Sequence, residues 1–168
     1  VETLAGTILP AVILEGGKIV AIEVDMGSPR EIKYLKLKIQ SSEFEITEVS
    51  MGNPHAVIFT EDISRINLSE IGPQIENHPH FPNRTNVEFV QILNEKEIEV
   101  SVWERGAGET LACGTGACAA VVAANLAAKV GRRVLVHLPG GNLDIELIED
   151  NHILMRGPAE KVFEGELL

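Results

Sequence analysis

Three features of the chain predict an α+β fold in which a mostly antiparallel, curved sheet or barrel wraps around one buried central helix. Alternating or β-branched apolar runs recur along nearly the whole length, as strands require. Glycine-rich or polar segments of hairpin length separate neighbouring runs. One stretch around residue 120 is apolar on almost every side, and a helix of that kind has to be buried all round.

Taken in order, the predicted strands are Thr7–Leu14, Lys18–Val24, Tyr34–Ile39, Glu43–Val49, His55–Phe59, Asn86–Leu93, Glu97–Trp103, Arg132–Leu138, Asn142–Ile148 and His152–Met155. Gly16-Gly17, Asn94-Glu95-Lys96, Gly140-Gly141 and Glu149-Asp150-Asn151 supply turns between them, which makes the sheet mostly an antiparallel meander. Ser69–Asn77 reads as a short surface helix, with Pro73 inside it arguing against that assignment. The central helix is predicted over Gly116–Val130, with Lys129 suited to its negative end and Gly131 to a left-handed cap. No Ser/Gly/Pro-rich linker and no internal repeat divides the chain, so a single domain is expected over residues 1–168.

Composition narrows the function. The 25 acidic residues outweigh 14 basic ones, giving a net charge of −11, and the only basic cluster is Arg132-Arg133. Such a surface is a poor partner for nucleic acid or an anionic membrane. The longest apolar stretch, Ala117 to Ala128, is broken by Asn125 and falls short of the ~20 residues of a membrane span. Two cysteines make no disulfide framework, and no signal-like segment opens the chain, so a reducing cytoplasm is the expected compartment. A strand pattern starts almost at Val1, which suggests that sequence precedes it.

The stretch "WERGAGETLACGTGACAA" (103–120) carries the most chemistry. Gly114, Gly116 and Ala119 satisfy G-x-G-x-x-[GA], but a dinucleotide fold also needs a parallel βαβ unit and an acid about 20 positions on, where Pro139 stands instead. No Gly-Lys-Ser/Thr follows, which removes a phosphate-binding P-loop. A metal site built on Cys113 and Cys118 has a spacing unlike the usual zinc patterns. Five helical residues also turn the two sulfurs roughly 140° apart around the axis. Cys118 therefore reads as a small buried hydrophobe. Cys113 lies at the entry of the helix, where free N–H groups and the positive end of the dipole favour negative charge. A thiol there is expected to have a lowered pKa, beside a site for a carboxylate at Gly114, Thr115 and Gly116.

Glu104-Arg105 closes a strand directly before this segment. A charged strand end is ordinarily solvated rim, but Arg105 is also suited to a carboxylate and Glu104 to an ammonium group or to tuning the thiol. In "SMGNPHAVIF" (50–59) and "NRTNVEFV" (83–90), Asn53, His55 and Asn86 admit two readings, turn chemistry or polar groups on a pocket rim.

Together, "MGNPHAV", "NRTNVEFV" and "VWERGAGETLACGTGACA" resemble the diaminopimelate epimerase family, with "DMGSPR" and "RGPAEKVFEGEL" extending the resemblance along the chain. The related proline racemase and phenazine-biosynthesis isomerase families share that fold without the full set of motifs. The resemblance implies interconversion of LL- and meso-diaminopimelate, a diamino dicarboxylate, in lysine biosynthesis, by two cysteines and with no cofactor or metal. It implies that Cys113 is one base, that Gly114 and Thr115 bind the reacting carboxylate, and that Glu104 modulates Cys113 and contacts substrate with Arg105. Asn53 and Asn86 would bind the other amino-acid end, and His55 would adjust the partner thiol.

The family's second thiol lies in a "CGNG"-like motif of its N-terminal domain, and no such motif occurs here. The chain thus resembles the C-terminal domain alone, with residues near 1–12 and 159–168 expected to contact the other domain. Expected partners are the substrate and that N-terminal domain, from the same gene product or a second chain, with a homodimer also open. Half an active site and negligible activity in isolation are expected. The rivals are another racemase or isomerase of the same fold, and a non-catalytic binding domain that retains it.

Overall fold

The computed structural model describes residues 2–3, 6–160 and 163–166. The strands are β1 (Glu2–Thr3), β2 (Gly6–Thr7), β3 (Ala11–Glu15), β4 (Lys18–Asp25), β5 (Arg30–Ile39), β6 (Ser42–Ser50), β7 (Pro54–Thr60), β8 (Asn86–Asn94), β9 (Glu97–Glu104), β10 (Gly108–Thr110), β11 (Arg133–Leu138), β12 (Gly141–Leu147) and β13 (Ile153–Gly157). A helical turn at Ile63–Arg65 leads to α1 (Leu68–Glu76), and α2 spans Gly114–Leu126. β1 and β2 form a separate ribbon, and the rest make one sheet in the order β3-β4-β13-β12-β11-β9-β8-β7-β6-β5, with β10 paired to β9. The predicted run Thr7–Leu14 is interrupted at residues 8–10, where Pro10 has no N–H to give a ladder.

The sheet is open, since β3 and β5 at its ends are not paired to each other. It still encloses α2, which contacts β6, β7, β8, β9, β11, β12 and β13. Every residue from Ala117 to Val121 is 0% exposed, which fits a helix with no polar face. Most pairings are antiparallel, and Gly16-Gly17, both at positive φ, close the β3–β4 hairpin.

Two parallel pairs depart from the predicted meander: β7 with β8 and β9 with β11. Each crossover carries one of the helices, because parallel neighbours cannot be joined by a tight turn. Hence β7 and β8 have a helix over each face. Val57 and Val90 join the core around α2, while Ala56, Ile58, Val87 and Phe89 join a second core with Leu68 and Ile75 of α1. That double burial explains why "VEFV" does not alternate. It also makes α1 less of a surface helix than expected, since Leu68, Gly72, Ile75 and Glu76 are buried and Pro73 is accommodated inside it.

The bounds of α2 correct the predicted ones. The helix starts two residues earlier, with Cys113 as its N-cap, and ends at Leu126. Its left-handed cap is Ala128 (φ 53), not Gly131. The Ala128 N–H donates to Asn125 O and the Lys129 N–H to Ala124 O, the paired bonds of a Schellman motif. The Lys129 ammonium lies 5.3 Å from the centroid of the Phe59 ring. No helix among the described residues is long and apolar enough to cross a membrane. Of the terminal segments expected to meet another domain, residues 1, 4–5, 161–162 and 167–168 lie outside those described; Leu9 is 80% and Phe163 83% exposed.

Candidate functional site

The site gathers at the N-terminus of α2, where four sequence-distant segments meet. β7 and β8 run parallel with His55 beside Asn86 and Val57 beside Glu88. Alternation along each strand then turns His55 and Glu88 toward α2, the face that Val57 and Val90 also take. Glu88 on that face and Asn53 in the turn before β7 reach the helix start, Glu88 beside Gly116 and Asn53 at Thr115.

Cys113 caps α2 with its own sulfur. Its Sγ accepts from the Gly116 N–H at 3.4 Å and lies 3.5 Å from Thr115 Oγ1, and the residue is 8% exposed. The expected lowering of its pKa is not what this environment produces. Burial pushes the Cys113 thiol above its ordinary 9.0, the Thr115 hydroxyl and Gly116 amide oppose that, and the Glu88 and Glu104 carboxylates add to it. Desolvation outweighs the helix-terminal donors because a thiolate loses most of its water here. Burial therefore favours the thiol form of Cys113, the form that can give a proton. Cys118, one turn on, is 0% exposed with its thiol pushed up to about 12 by burial first and by Cys113 second.

Three of the predicted polar residues are joined in one network. His55, 1% exposed, contacts Glu88 Oε1 through Nδ1 at 2.7 Å and Asn53 Oδ1 through Nε2 at 3.1 Å. The Asn53 amide donates to Thr115 Oγ1 at 3.2 Å. Asn86 plays a different part, being 4% exposed and bound to the backbone: it donates to Pro54 O at 2.8 Å and accepts from the Arg105 N–H at 2.9 Å. It thereby ties the end of β7 to the turn that bears Arg105. The guanidinium of Arg105 is exposed and donates to Asn83 O at 3.2 Å. Glu104 ends β9, and the hairpin into β10 follows.

Two acids that sequence reasoning passed over hold this arrangement. Glu88, 0% exposed, is the sole charge in an otherwise apolar stretch of β8, and that isolation was the available signal. Gly116 is needed beside it, because a methyl group there would lie 2.7 Å from Glu88 Oε1 and 3.3 Å from Cys113 Sγ. Glu76 in α1 accepts from Trp103 Nε1 at 2.7 Å, from the Gly106 N–H at 2.9 Å and from Arg84 at 3.2 Å, so it anchors the "WERG" turn. A cavity of about 290 Å³ with Pro54, His55, His80, Asn83 and Arg84 in its wall lies beside the network. Chemically, the helix entry offers amides for an anion with a protonated thiol next to them.

Comparison with known proteins places the chain. The family model described as diaminopimelate epimerase matches residues 47–162. Diaminopimelate epimerases from Pelotomaculum thermopropionicum and Bacteroides thetaiotaomicron are 51% and 53% identical, each over 99% of this chain. The chain spans 64% and 62% of the lengths of those two proteins. Among solved structures, a probable proline racemase from Agrobacterium radiobacter has a TM-score of 0.69 at 16% identity, covering 93% of this chain and 56% of that one. A phenazine biosynthesis protein of the PhzF family from Bacillus anthracis has a TM-score of 0.66 at 14% identity, covering 98% of this chain and 66% of that one. These structural likenesses establish the shared fold, and the sequence match establishes the family: the chain belongs to the diaminopimelate epimerase family.

Proposed function

We propose that this chain supplies one half of a cofactor-independent epimerase that interconverts LL- and meso-diaminopimelate, serving lysine biosynthesis in the cytoplasm, with Cys113 as one of two proton-transfer groups. The observation that carries this is the N-capping thiol of Cys113 beside the helix-terminal amides of Gly114 and Thr115. A substrate α-carboxylate at those amides would present its α-carbon to the sulfur. As the α-proton leaves toward a base on one face, charge spreads into the carboxylate, where the helix-terminal N–H groups stabilise it. Cys113 Sγ–H then gives its proton to the other face, and the two thiols end with their protonation states exchanged. Glu104 tunes Cys113 by its charge, and Arg105, with its side chain exposed, is suited to the substrate's distal carboxylate. Asn53 and Asn86 would shape the rim that receives the distal amino-acid end, and His55 would act on the thiols through the network it anchors.

The opposite base is not Cys118, which is sealed in the core with its thiol near 12. We propose that it comes from a further domain, on the same gene product or a second polypeptide. Exposed Leu9, Val12 and Phe163 support a partner surface near both chain ends.

Deuterium uptake at the α-carbons of diaminopimelate in deuterated water tests this. The chain alone should give no exchange above the uncatalysed rate. A mixture with the cysteine-bearing N-terminal domain of a relative should exchange. Rapid exchange by the chain alone, or none by the mixture when both parts are folded and bound, overturns the proposal.

A further inference from the structure

We propose that Glu88, through its pairing with His55, sets the direction of a hydrogen-bond chain that runs by way of Asn53 and Thr115 to the Cys113 sulfur, and is a positioning residue for that thiol. The inference rests on Cys113 being the proton-transfer group proposed above. Its geometry is independent of any substrate.

The polarity of each link follows from its atoms. A carboxylate oxygen only accepts, so His55 Nδ1 carries hydrogen toward Glu88 Oε1. Asn53 Oδ1 also only accepts, so His55 Nε2 is the donor in the 3.1 Å contact between them. The Asn53 amide is thereby fixed with Nδ2 toward Thr115 Oγ1, which accepts and is left to turn its own hydrogen toward Cys113 Sγ. The chain has one sense, and its terminal acceptor is the sulfur.

Glu88 is the origin of that sense. It is 0% exposed on the α2 side of β8, and among the described residues Oε2 has no hydrogen-bond partner and His55 is the one that pairs with Oε1. The 2.7 Å contact sets a full carboxylate charge against Nδ1, which favours hydrogen-bond donation from the ring on both sides. With a neutral amide at position 88 that bias is lost, and Nε2 is free to accept instead. Asn53 would then turn its N–H toward His55 and its oxygen toward Thr115. The Thr115 hydroxyl would donate to Asn53, and the sulfur would lose that donor. Among the described residues, the titratable groups whose charge bears on the sulfur are Glu88 from β8, Glu104 from β9 and Cys118 within α2. Among the influences on Cys113, the Thr115 hydrogen bond outranks the Glu88 charge, so losing both leaves the thiolate less favoured.

Alkylation of the chain by iodoacetamide as a function of pH is a direct readout, because Cys118 is 0% exposed and Cys113 carries the signal. Peptide mapping identifies the labelled thiol. Glu88→Gln should move the midpoint of Cys113 alkylation upward by about half a pH unit or more. T115V, which cuts the last link outside the core, should do the same, and the double variant should move no further than T115V alone, as expected for one shared path. Coincident midpoints for wild type and E88Q, both with native circular dichroism, overturn the proposal. Should Glu88 variants not fold, an unmoved midpoint in T115V overturns it instead. If the midpoints move as expected while diaminopimelate exchange fails, the hydrogen-bond chain stands and the epimerase assignment falls.

Discussion

Glu76 and Glu88 are both buried acids within the same site, and they are held in opposite ways. Glu76 receives three donors, from Trp103, Gly106 and Arg84, and its charge is spread over all of them. Glu88 receives one among the described residues, from His55, and keeps an oxygen without a partner there. A carboxylate saturated by donors is a structural tie, whereas one left under-satisfied beside a titratable ring transmits its charge. The contrast maps onto the two core clusters: Glu76 sits with α1 and shapes the turn, and Glu88 faces α2 and its thiol.

Four experiments break or sharpen that contrast. The largest effect is expected from Glu76→Ala, which strands the Trp103 and Gly106 donors. Stability should fall by about 3 kcal/mol, read by denaturant unfolding with Trp103 fluorescence. A loss under about 1 kcal/mol would mean that Glu76 is not the tie described. Gly116→Ala comes next. Alanine gains about 1 kcal/mol of helix propensity, yet its methyl would press 2.7 Å from Glu88 Oε1 in a filled core. A net loss of about 1–2 kcal/mol is expected, and a stabilised variant would contradict the packing.

The third experiment pairs E76Q with E88Q. Both should cost on the order of 1 kcal/mol, but only E88Q should displace the pH profile of Cys113 alkylation. Equal displacement by the two would dissolve the distinction between tie and transmitter. The smallest effect belongs to a surface pair, Asp25 with His152. Partial burial raises the Asp25 carboxyl, and hydrogen bonds from the Gly27 amide and His152 more than offset that, leaving it below its ordinary 3.8. The contribution is thus complete above about pH 4 and is lost as pH falls through the lower folded value. D25N should remove no more than about 0.5 kcal/mol at pH 7 and flatten the acid limb of the stability curve. A larger loss at neutral pH would mean that Asp25 supports more than its salt bridge.

Much of the fold was legible because its signals are local. Strand alternation and hairpin turns follow from neighbouring residues, and the all-apolar run Ala117–Ala124 could only be an enclosed helix. The parallel pairs were hidden, since nothing within "NPHAV" or "NRTNV" says that residues 55 and 86 are neighbours. Glycine at 131 suggested a cap that the chain instead makes at Ala128, where the Schellman bonds are strong enough to hold a non-glycine residue left-handed.

At the site, the residue types were legible and their electrostatics were not. The helix entry at Cys113 suggested a thiolate because donors are visible in sequence, whereas desolvation depends on how many strands close over the sulfur. Glu88 was overlooked because a single acid in a strand usually faces water, and here α1 and α2 cover both faces of β8. Asn53 and His55 were left between turn chemistry and site chemistry, and the structure puts both on the path from Glu88 to Thr115.

The central proposal is that Cys113, and not the neighbouring Cys118, moves the proton. Its most direct test is epimerisation of LL-diaminopimelate by this chain combined with the cysteine-bearing N-terminal domain of a relative, comparing Cys113→Ala with Cys118→Ala. Loss of a proton-transfer group predicts a fall in kcat of at least about 100-fold for C113A, with C118A within about threefold of wild type. Turnover by folded C113A within about tenfold of wild type would contradict the account.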